Sequence, residues 1–442
     1  MGIRKESWFW AGLFVVLALA STALADGAVQ LDVALDKPIM LAGETQKAYL
    51  RVGLMGCCSD DVGERTPVNI AIVLDKSGSM TGEKIGQAKE AAIMAVRRLS
   101  SDDIVSVVTY DTRVNVLVPA TKARDREDIC RRIRSINAGG STALHGGVCR
   151  GAEEVKKFLC SNRVNRVILL SDGLANVGPD TPHALGSLGA ALVEDGISVT
   201  TIGLGLDYNE DLMTQLACRS DGNHYFAENA RDLARVFDKE LDSTLSVVAQ
   251  EVVTYIKCRP GVRPVRLLGR EGKINGQTVE VFINQLYGEN EKFILLEVEV
   301  PGGKCDAKTM LAGVEVRYDD CVTGKQEALA RTVTAAFTDS KKVVDAHLNE
   351  KVMVDVVEMV ATERNELAVA LRDKGDIGGA HKLLKENEFY LNTNAELYNS
   401  SRLQVYAEQQ KQDYSNLDEA NWTRQRKSMR AYQYSNSTQQ SK

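Results

Sequence analysis

The sequence predicts a doubly wound α/β domain with a mainly parallel sheet, set into an antiparallel β-sandwich and followed by a helical C-terminal region. Within residues 66–245, nearly continuous apolar runs alternate with amphipathic helical patterns, which is typical of parallel strands buried on both faces. On both sides of this segment apolar residues recur with a period of two, which indicates half-buried antiparallel strands. Beyond residue 340 the apolar spacing is helical.

The composition is that of an ordinary globular protein of two or three domains. The 442 residues are 44% hydrophobic and 26% charged, and 54 basic against 60 acidic side chains give a net charge of −6. Such a mildly acidic chain lacks the basic face of a general nucleic-acid-binding protein, so no nucleic-acid partner is expected. Nine cysteines accompany only five histidines, and their meaning depends on the compartment in which the protein folds.

The first 25 residues have the order of a secretory signal peptide. Arg4 and Lys5 precede the apolar residues 8–20, and residues 23–25 form an A-x-A cleavage site. We expect cleavage after Ala25 and export to the periplasm, the cell surface or the medium; the alternative is an uncleaved anchor. No later stretch is apolar for the roughly 18 to 20 residues that cross a bilayer, so the mature chain is expected to have no transmembrane span.

In the oxidising compartments to which proteins are exported, disulfides are the default state of cysteines. Nine is an odd number, so at least one thiol is expected to be free or to pair between chains. Position suggests two bonds: Cys305 with Cys321 across a hairpin, and Cys57 or Cys58 with Cys258 between the halves of the sandwich. A zinc site is not expected, because no C-x-x-C occurs and the histidines are scattered.

Residues 26–64 and 246–339 are expected to form the sandwich together. The rows of alternating apolar residues are 29–35, 48–54, 279–283, 294–300, 314–318 and 332–337. Two strands alone do not make a stable unit, so the first two rows need the later ones. The simplest arrangement is one sandwich that the α/β domain, residues 65–245, interrupts.

The α/β domain begins with the apolar strand of residues 68–74 and a helix whose apolar stripe runs from Ile85 to Leu99. Further strands are expected at residues 104–110, 114–118, 164–170, 197–203 and 224–226, and further helices at residues 124–136, 144–159, 183–195, 210–218 and 230–245. Strands that alternate with helices at this spacing place their carboxyl ends at one edge of the sheet, where ligands bind.

The last hundred residues divide into two parts. Residues 340–410 are expected to be helical, with a helical hairpin around Gly375 and Asp376 and no second copy at a fixed period. Residues 411–442 are rich in Gln, Ser, Asn and Tyr, so they are expected to form a loose polar tail.

Three segments with oxygen-bearing side chains are expected at the carboxyl edge of the sheet. The first strand ends in DKSGS, which places Asp75, Ser77 and Ser79 at alternating positions; Thr142 precedes a helix, and Asp172 follows a later strand. Carboxylates and hydroxyls are hard ligands that suit Mg²⁺, and also Mn²⁺ or Ca²⁺. These five residues are the candidate metal ligands, and they leave one coordination position open for an incoming carboxylate.

With these residues in place, residues 66–245 resemble the von Willebrand factor type A domain family. The D-x-S-x-S motif, the threonine and the later aspartate of that family are all present in order, so the five residues resemble a complete metal-ion-dependent adhesion site. The layout is also similar to that of exported bacterial proteins described as calcium-activated chloride channel-like or inter-alpha-trypsin-inhibitor heavy-chain-like. The resemblance implies that the helix of residues 210–218 shifts when a ligand binds.

The favoured hypothesis is an exported adhesion or scaffold protein, not an enzyme, that captures an Asp or Glu carboxylate of a partner protein through Mg²⁺. In a second hypothesis the A domain is structural, and the sandwich or the C-terminal helices bind the partner. A metal-dependent hydrolase ranks third, because the sequence has neither a P-loop nor H-E-x-x-H. Asp111 and Asp207 are expected to be solvated loop carboxylates, and His145 to pack within its helix.

Overall fold

A computed structural model describes residues 27–57, 65–160 and 162–440, which form three sheets and a C-terminal group of helices. The expected signal peptide and Cys58 lie outside the described residues. Within the described ranges no helix combines the length and the apolar character that crossing a bilayer requires. The predicted fold class is confirmed: an α/β layer is set into antiparallel sheets, and helices follow.

The chain enters through three strands of the sandwich. They are β1 (Val29–Leu35), β2 (Ile39–Leu41) and β3 (Gln46–Gly56). β1 pairs with β3 in antiparallel register, with Val33 opposite Val52. β2 belongs to the second sheet of the sandwich, where it runs parallel to the last strand of the sandwich.

The α/β domain has a six-stranded sheet in the order β6-β5-β4-β7-β8-β9, in which only β6 is antiparallel. Its strands are β4 (Val68–Asp75), β5 (Ile104–Tyr110), β6 (Val114–Lys122), β7 (Val164–Ser171), β8 (Ser198–Leu204) and β9 (His224–Ala227). Its helices are α1 (Glu83–Arg98), α2 (Arg126–Arg134), α3 (Leu144–Lys156), α4 (Pro182–Glu194), α5 (Glu210–Arg219) and α6 (Asp232–Leu245). Every residue of β4 is buried, because helices cover both faces: Ile72 packs in one apolar core and Val73 in the other.

The strands after the α/β domain complete the sandwich. They are β10 (Val247–Cys258), β11 (Arg263–Leu268), β12 (Lys273–Asn275), β13 (Thr278–Tyr287), β14 (Glu291–Val300), β15 (Lys308–Asp320) and β16 (Gln326–Thr338). The sheet orders are β1-β3-β14-β11 and β12-β13-β10-β15-β16-β2. β3 and β14 pair over ten residues, so strands from before and after the α/β domain share one sheet. Leu50 and Val316 belong to the apolar core between the two sheets.

The cysteines differ from expectation, because each of the eight described ones is a free thiol. Cys305 and Cys321 stand at opposite ends of the 13-residue strand β15, a separation of about 40 Å. Cys57 follows Gly56, which lies against Val248 at the start of β10, whereas Cys258 ends that strand about 33 Å away. The predicted Cys305–Cys321 and Cys57–Cys258 bonds are therefore wrong for geometric reasons.

The described C-terminal region consists of helices joined by short turns, so the predicted loose tail is also wrong. The helices are α7 (Lys341–Ala346), α8 (Glu350–Asp373), α9 (Ile377–Leu397), α10 (Ser401–Ser415) and α11 (Glu419–Thr438). Trp422 of α11 is buried in an apolar cluster with Leu384 of α9. The polar residues of the segment bond inside the bundle, as where the Gln433 amide donates to Asn365 Oδ1 (2.6 Å). Composition does not distinguish such buried amides from solvated ones.

Helix α11 also docks on the α/β domain. Lys427 is only 2% exposed, and its ammonium donates to the Tyr208 carbonyl (2.5 Å) and pairs with Glu210, the first residue of α5. The Tyr434 hydroxyl donates to the Gly222 carbonyl (2.6 Å). The C-terminal helix therefore holds the amino end of α5, the helix that the family resemblance expects to shift.

Candidate metal centre

The candidate ligands meet at the carboxyl edge of the parallel sheet. β4 ends at Asp75, and its neighbour β7 ends at Ser171, just before Asp172. Because the chain leaves both strands at this edge, the following loops lie side by side. The loop before α3 reaches the same place, since the backbone N–H of Gly78 donates to the Gly140 carbonyl (2.9 Å).

Asp75 is fully buried and organises the first of these loops. Its Oδ1 accepts a hydrogen bond from the backbone N–H of Ser77 (2.8 Å), and its Oδ2 accepts one from the Ser171 hydroxyl (2.8 Å). Burial raises the pKa of Asp75 above its ordinary value, although these hydrogen bonds oppose the rise. No Lys or Arg of the described residues forms an ion pair with Asp75, so a cation at this position would find an unneutralised carboxylate.

Hydrogen bonds connect the two serines of the motif to Asp172. Ser77 Oγ lies 3.0 Å from Ser79 Oγ, and the Ser79 hydroxyl donates to Asp172 Oδ1 (2.6 Å). Asp172 is fully buried whereas Ser79 is exposed, so these groups lead from the interior to the surface. Neighbouring oxygens of an octahedral Mg²⁺ shell stand about 2.9 Å apart, given bonds of 2.0–2.1 Å. The spacing of the two serine hydroxyls fits that shell.

Thr142 belongs to the loop that opens α3. Its backbone N–H donates to Asn176 Oδ1 (2.8 Å), and the backbone N–H of Asn176 donates to the Thr142 carbonyl (3.1 Å). A Cβ at Gly173 would lie 3.3 Å from Ser79 Oγ and 3.5 Å from Thr142 Oγ1. The absence of a side chain at Gly173 therefore leaves room beside the hydroxyls of Ser79 and Thr142.

Lys84 supplies the positive charge that faces Asp172. Its Nζ lies 2.6 Å from Asp172 Oδ2, and its side chain is 30% exposed. The lysine stands in the first turn of α1, where the helix dipole favours acidic side chains. The ammonium therefore balances a buried carboxylate that is one of the predicted metal ligands.

Substituting Lys84 is expected to strengthen the binding of Mg²⁺. Lys84→Met removes the ammonium that competes for Asp172 Oδ2, so the dissociation constant for Mg²⁺ should fall by about tenfold, which corresponds to about 1.4 kcal/mol. Isothermal titration of the full chain with MgCl₂ measures this change. Lys89→Met is the matched control, because the Lys89 ammonium donates to the carbonyls of Arg134 and Ile136 instead. An unchanged or weaker affinity in Lys84→Met would contradict the expectation.

The donor set fits a hard divalent cation. Two carboxylates and three hydroxyls supply oxygen atoms only, the ligand type of Mg²⁺, Mn²⁺ and Ca²⁺. Among the described residues no cluster of three or more His, Cys, Asp or Glu is arranged to hold a metal ion. The hydroxyl-rich set at the sheet edge is therefore the candidate that the described part of the chain offers.

The sequence assigned no ligand role to Asp111, Asp207 or His145. Asp111 is not a solvated carboxylate as expected, because it pairs with Lys76; that pairing lowers the pKa of Asp111 in spite of its partial burial. Asp207 is exposed. His145 Nδ1 lies 3.6 Å from Cys149 Sγ, one turn along the same helix.

Sequence reasoning missed Asn176 and Lys84, which shape the site, and it placed Ser171 at this edge without giving it a role. Ser171 precedes Asp172 directly, and a hydroxyl at the end of a buried strand is itself a signal. Lys84 was also detectable, since a lysine in the first turn of a helix is unfavourable without an acidic partner. Asn176 gives no local signal, because its role depends on how two loops meet.

Comparison with known proteins identifies the domain to which this edge belongs. The family model "von Willebrand factor type A domain" matches residues 69–239. The chain carries a von Willebrand factor type A domain. The A domain accounts for the parallel sheet, its six helices and the loops that bring the candidate ligands together.

Relatives and solved structures extend the similarity beyond the A domain. The protein sll0103 of Synechocystis sp. is 25% identical over 367 residues, which cover 79% of this chain and 84% of that protein. Inter-alpha-trypsin inhibitor heavy chain H3 of Pongo abelii is 27% identical over 200 residues, 43% of this chain and 22% of that protein. A von Willebrand factor type A structure from Catenulispora acidiphila, at 16% identity and a TM-score of 0.69, covers 88% of this chain and 89% of its own. That structure shares the fold of the A domain together with its flanks.

Proposed function

We propose that this chain is an exported adhesion or scaffold protein that captures a carboxylate of a partner protein at a divalent cation. The cation is Mg²⁺, with Mn²⁺ or Ca²⁺ as alternatives. The five ligands are Asp75, Ser77, Ser79, Thr142 and Asp172. The observation that carries the proposal is the hydrogen-bonded set of Asp75, the two serines and Asp172, which includes the exposed Ser79. Domains of this family commonly bind protein partners, which agrees with the proposal.

The protein's part in this binding is to hold hard oxygen atoms at one edge of a rigid sheet. Asp75 and Asp172 are anchored by backbone and hydroxyl donors, so their carboxylates do not need to reorganise. Ser77 and Ser79 present neutral oxygens, which leave a bound cation with most of its positive charge. That charge is the attraction for an incoming Asp or Glu carboxylate. The net charge of the chain, −6, offers no such attraction by itself.

A metal-switchable pull-down tests the proposal. The full chain is immobilised, exposed to envelope extract or culture medium in MgCl₂, and then eluted with EDTA. Asp172→Asn is expected to retain no partner, whereas Asp207→Asn, an exposed carboxylate on another loop, should retain it as the wild type does. Identical retention in MgCl₂, in EDTA and by Asp172→Asn would refute the metal-dependent mechanism.

The same pull-down, with one further variant, distinguishes a second candidate function, in which the C-terminal helices bind the partner. Its support is three exposed apolar side chains on α9 and α10: Phe389 (74% exposed), Leu397 (66%) and Val405 (64%). Deleting the helices is not a clean test, because α8 and α11 bury side chains against the sandwich and the A domain. Phe389→Ser is the better bait. If this variant loses the partner while the wild type retains it in EDTA, the C-terminal helices bind the partner.

Export is part of the proposal and depends on the signal-like residues 1–25. The free thiols give it no support, because disulfides are the usual sign of an oxidising compartment. N-terminal sequencing of the protein recovered from the periplasm or the medium decides the matter. A mature chain that starts at Asp26 agrees with export and cleavage, and a chain that is found only in the cytoplasm with its N-terminus intact contradicts both.

A further inference from the structure

A cavity of about 710 Å³ lies where the sandwich, α8, α10 and the end of α11 meet. Its volume is within the range of small-molecule sites, roughly 300–1,000 Å³. β14 contributes Glu291 and Phe293, α8 contributes Asp355, and the turn before α10 contributes Tyr398. The cavity shares no residue with the candidate metal centre.

The buried charged groups in the inner wall of this cavity pair with one another, whereas the lining residues Glu350 and Lys351 are exposed. Arg51 is 2% exposed; its guanidinium lies 2.5 Å from Asp355 and 2.8 Å from Glu291. Arg402 pairs with Asp355 and with Glu358 (3.5 Å). A charged ligand would have to break one of these pairs and leave a buried charge without a partner, which costs several kcal/mol. The wall therefore favours an uncharged ligand.

Uncharged donors and acceptors remain available around the paired charges. Asn436 lines the cavity and is 3% exposed. Asn399, Ser401 and Ser435 add amide and hydroxyl groups to the lining. A ligand that both donates and accepts many hydrogen bonds fits this surface.

The aromatic groups argue against a nucleobase or an apolar ligand. The ring of Phe293 is covered by the Arg51 guanidinium, 5.0 Å from the ring centroid. Tyr398 is then the aromatic side chain left to face a ligand, so the described lining offers no pair of rings between which a base stacks. One aromatic ring beside amides, hydroxyls and carboxylates suits the alternating apolar faces and hydroxyl edges of a sugar.

We propose that this cavity binds a neutral carbohydrate. The ligand would contact Asn399, Ser401 and Ser435 and lie against Tyr398 while the ion pairs of Arg51 stay intact. This site is independent of the metal centre, so the chain would bring a glycan and a protein partner together.

Titration of the full chain with defined sugars tests the proposal. The probes are the tetrasaccharides of the cello, malto, xylo and chito series in solution, the matching polymers, and anionic oligogalacturonate. We expect a saturable heat of binding for at least one neutral tetrasaccharide, and we expect EDTA to leave it unchanged. If the chain binds a polymer but not the tetrasaccharide of the same series, the source of the ligand is a surface glycan. Binding to oligogalacturonate alone, or no binding to any neutral probe, overturns the proposal.

A cavity-filling variant then ties the binding to this cavity. Ser401 is exposed at the start of α10, so Ser401→Trp should fold normally while its ring occupies the cavity. It is expected to weaken the neutral sugar by about tenfold or more. Ser415→Trp, an exposed serine at the far end of the same helix, is the matched control. Equal affinity in Ser401→Trp and the wild type would show that the sugar binds elsewhere and would refute the assignment.

Discussion

Asp75→Asn is expected to abolish the stabilisation that Mg²⁺ confers on the protein while leaving the fold intact. In the wild type, Mg²⁺ at a hundredfold excess over its dissociation constant should add about 2.7 kcal/mol to the free energy of unfolding. The substituted asparagine keeps the size of the side chain and the bond to the backbone N–H of Ser77, but it lacks the charge that the cation requires. Urea unfolding in MgCl₂ and in EDTA measures both effects.

The metal-free protein provides the control within the same experiment. Asp75 is a buried carboxylate without an ion-pair partner among the described residues, and burial raises its pKa. Removing its charge should therefore leave the unfolding free energy in EDTA equal to that of the wild type or higher. A loss of several kcal/mol in EDTA would mean that Asp75 has a structural role. A wild-type response of Asp75→Asn to Mg²⁺ would exclude Asp75 as a ligand.

Glu240→Gln is expected to lower the free energy of unfolding by about 3–5 kcal/mol, because it leaves a buried guanidinium without its counter-ion. Arg166 on β7 and Glu240 on α6 are both fully buried, with 2.6 Å between Nη1 and Oε1. Arg166 also donates to the Tyr287 hydroxyl (3.0 Å) and to Gln285, both on β13 of the sandwich. The pair therefore joins the last helix of the A domain to its sheet and to the neighbouring sandwich. Chemical unfolding at neutral pH measures the change.

The double variant Arg166→Met with Glu240→Leu separates charge from packing. Replacing a whole buried pair by apolar side chains is often neutral or stabilising, so it should recover most of the stability that Glu240→Gln loses. If the double variant is as unstable as the single one, the hydrogen bonds of these side chains to the sandwich matter more than the charge. If Glu240→Gln unfolds like the wild type, the buried pair contributes little.

The sequence was most informative where a local pattern has a single structural meaning. The strand of residues 68–74 was predicted one residue short of its observed end at Asp75, because an unbroken apolar run is typical of a parallel strand buried on both faces. The spacing of Asp75, Ser77 and Ser79 places their side chains in one tight loop, and the structure brings all five candidate ligands to one edge. Thr142 and Asp172 were expected there because the carboxyl ends of parallel strands converge.

Predictions that needed distant contacts were less successful. Cys305 and Cys321 are 16 positions apart in a β-rich segment, but a continuous 13-residue strand holds them at opposite ends. The polar composition of residues 411–442 suggested solvation, yet Gln425 donates to buried Asp413 (2.7 Å) and Trp422 packs in the bundle. In both cases the local sequence is compatible with two states, and contacts made elsewhere in the fold decide between them.

By itself, the sequence determined the α/β class, the alternation of the sandwich strands and the oxygen donors of the candidate metal centre, because periodicity and motif spacing act over short distances. Only the tertiary structure decided that Lys84 balances Asp172, that α11 holds the amino end of α5 through Lys427, and that Arg51 and Asn436 line one cavity. These arrangements depend on burial, which turns ordinary polar side chains into strong constraints once water is excluded. Burial is a property of the assembled fold and is not encoded in any single segment.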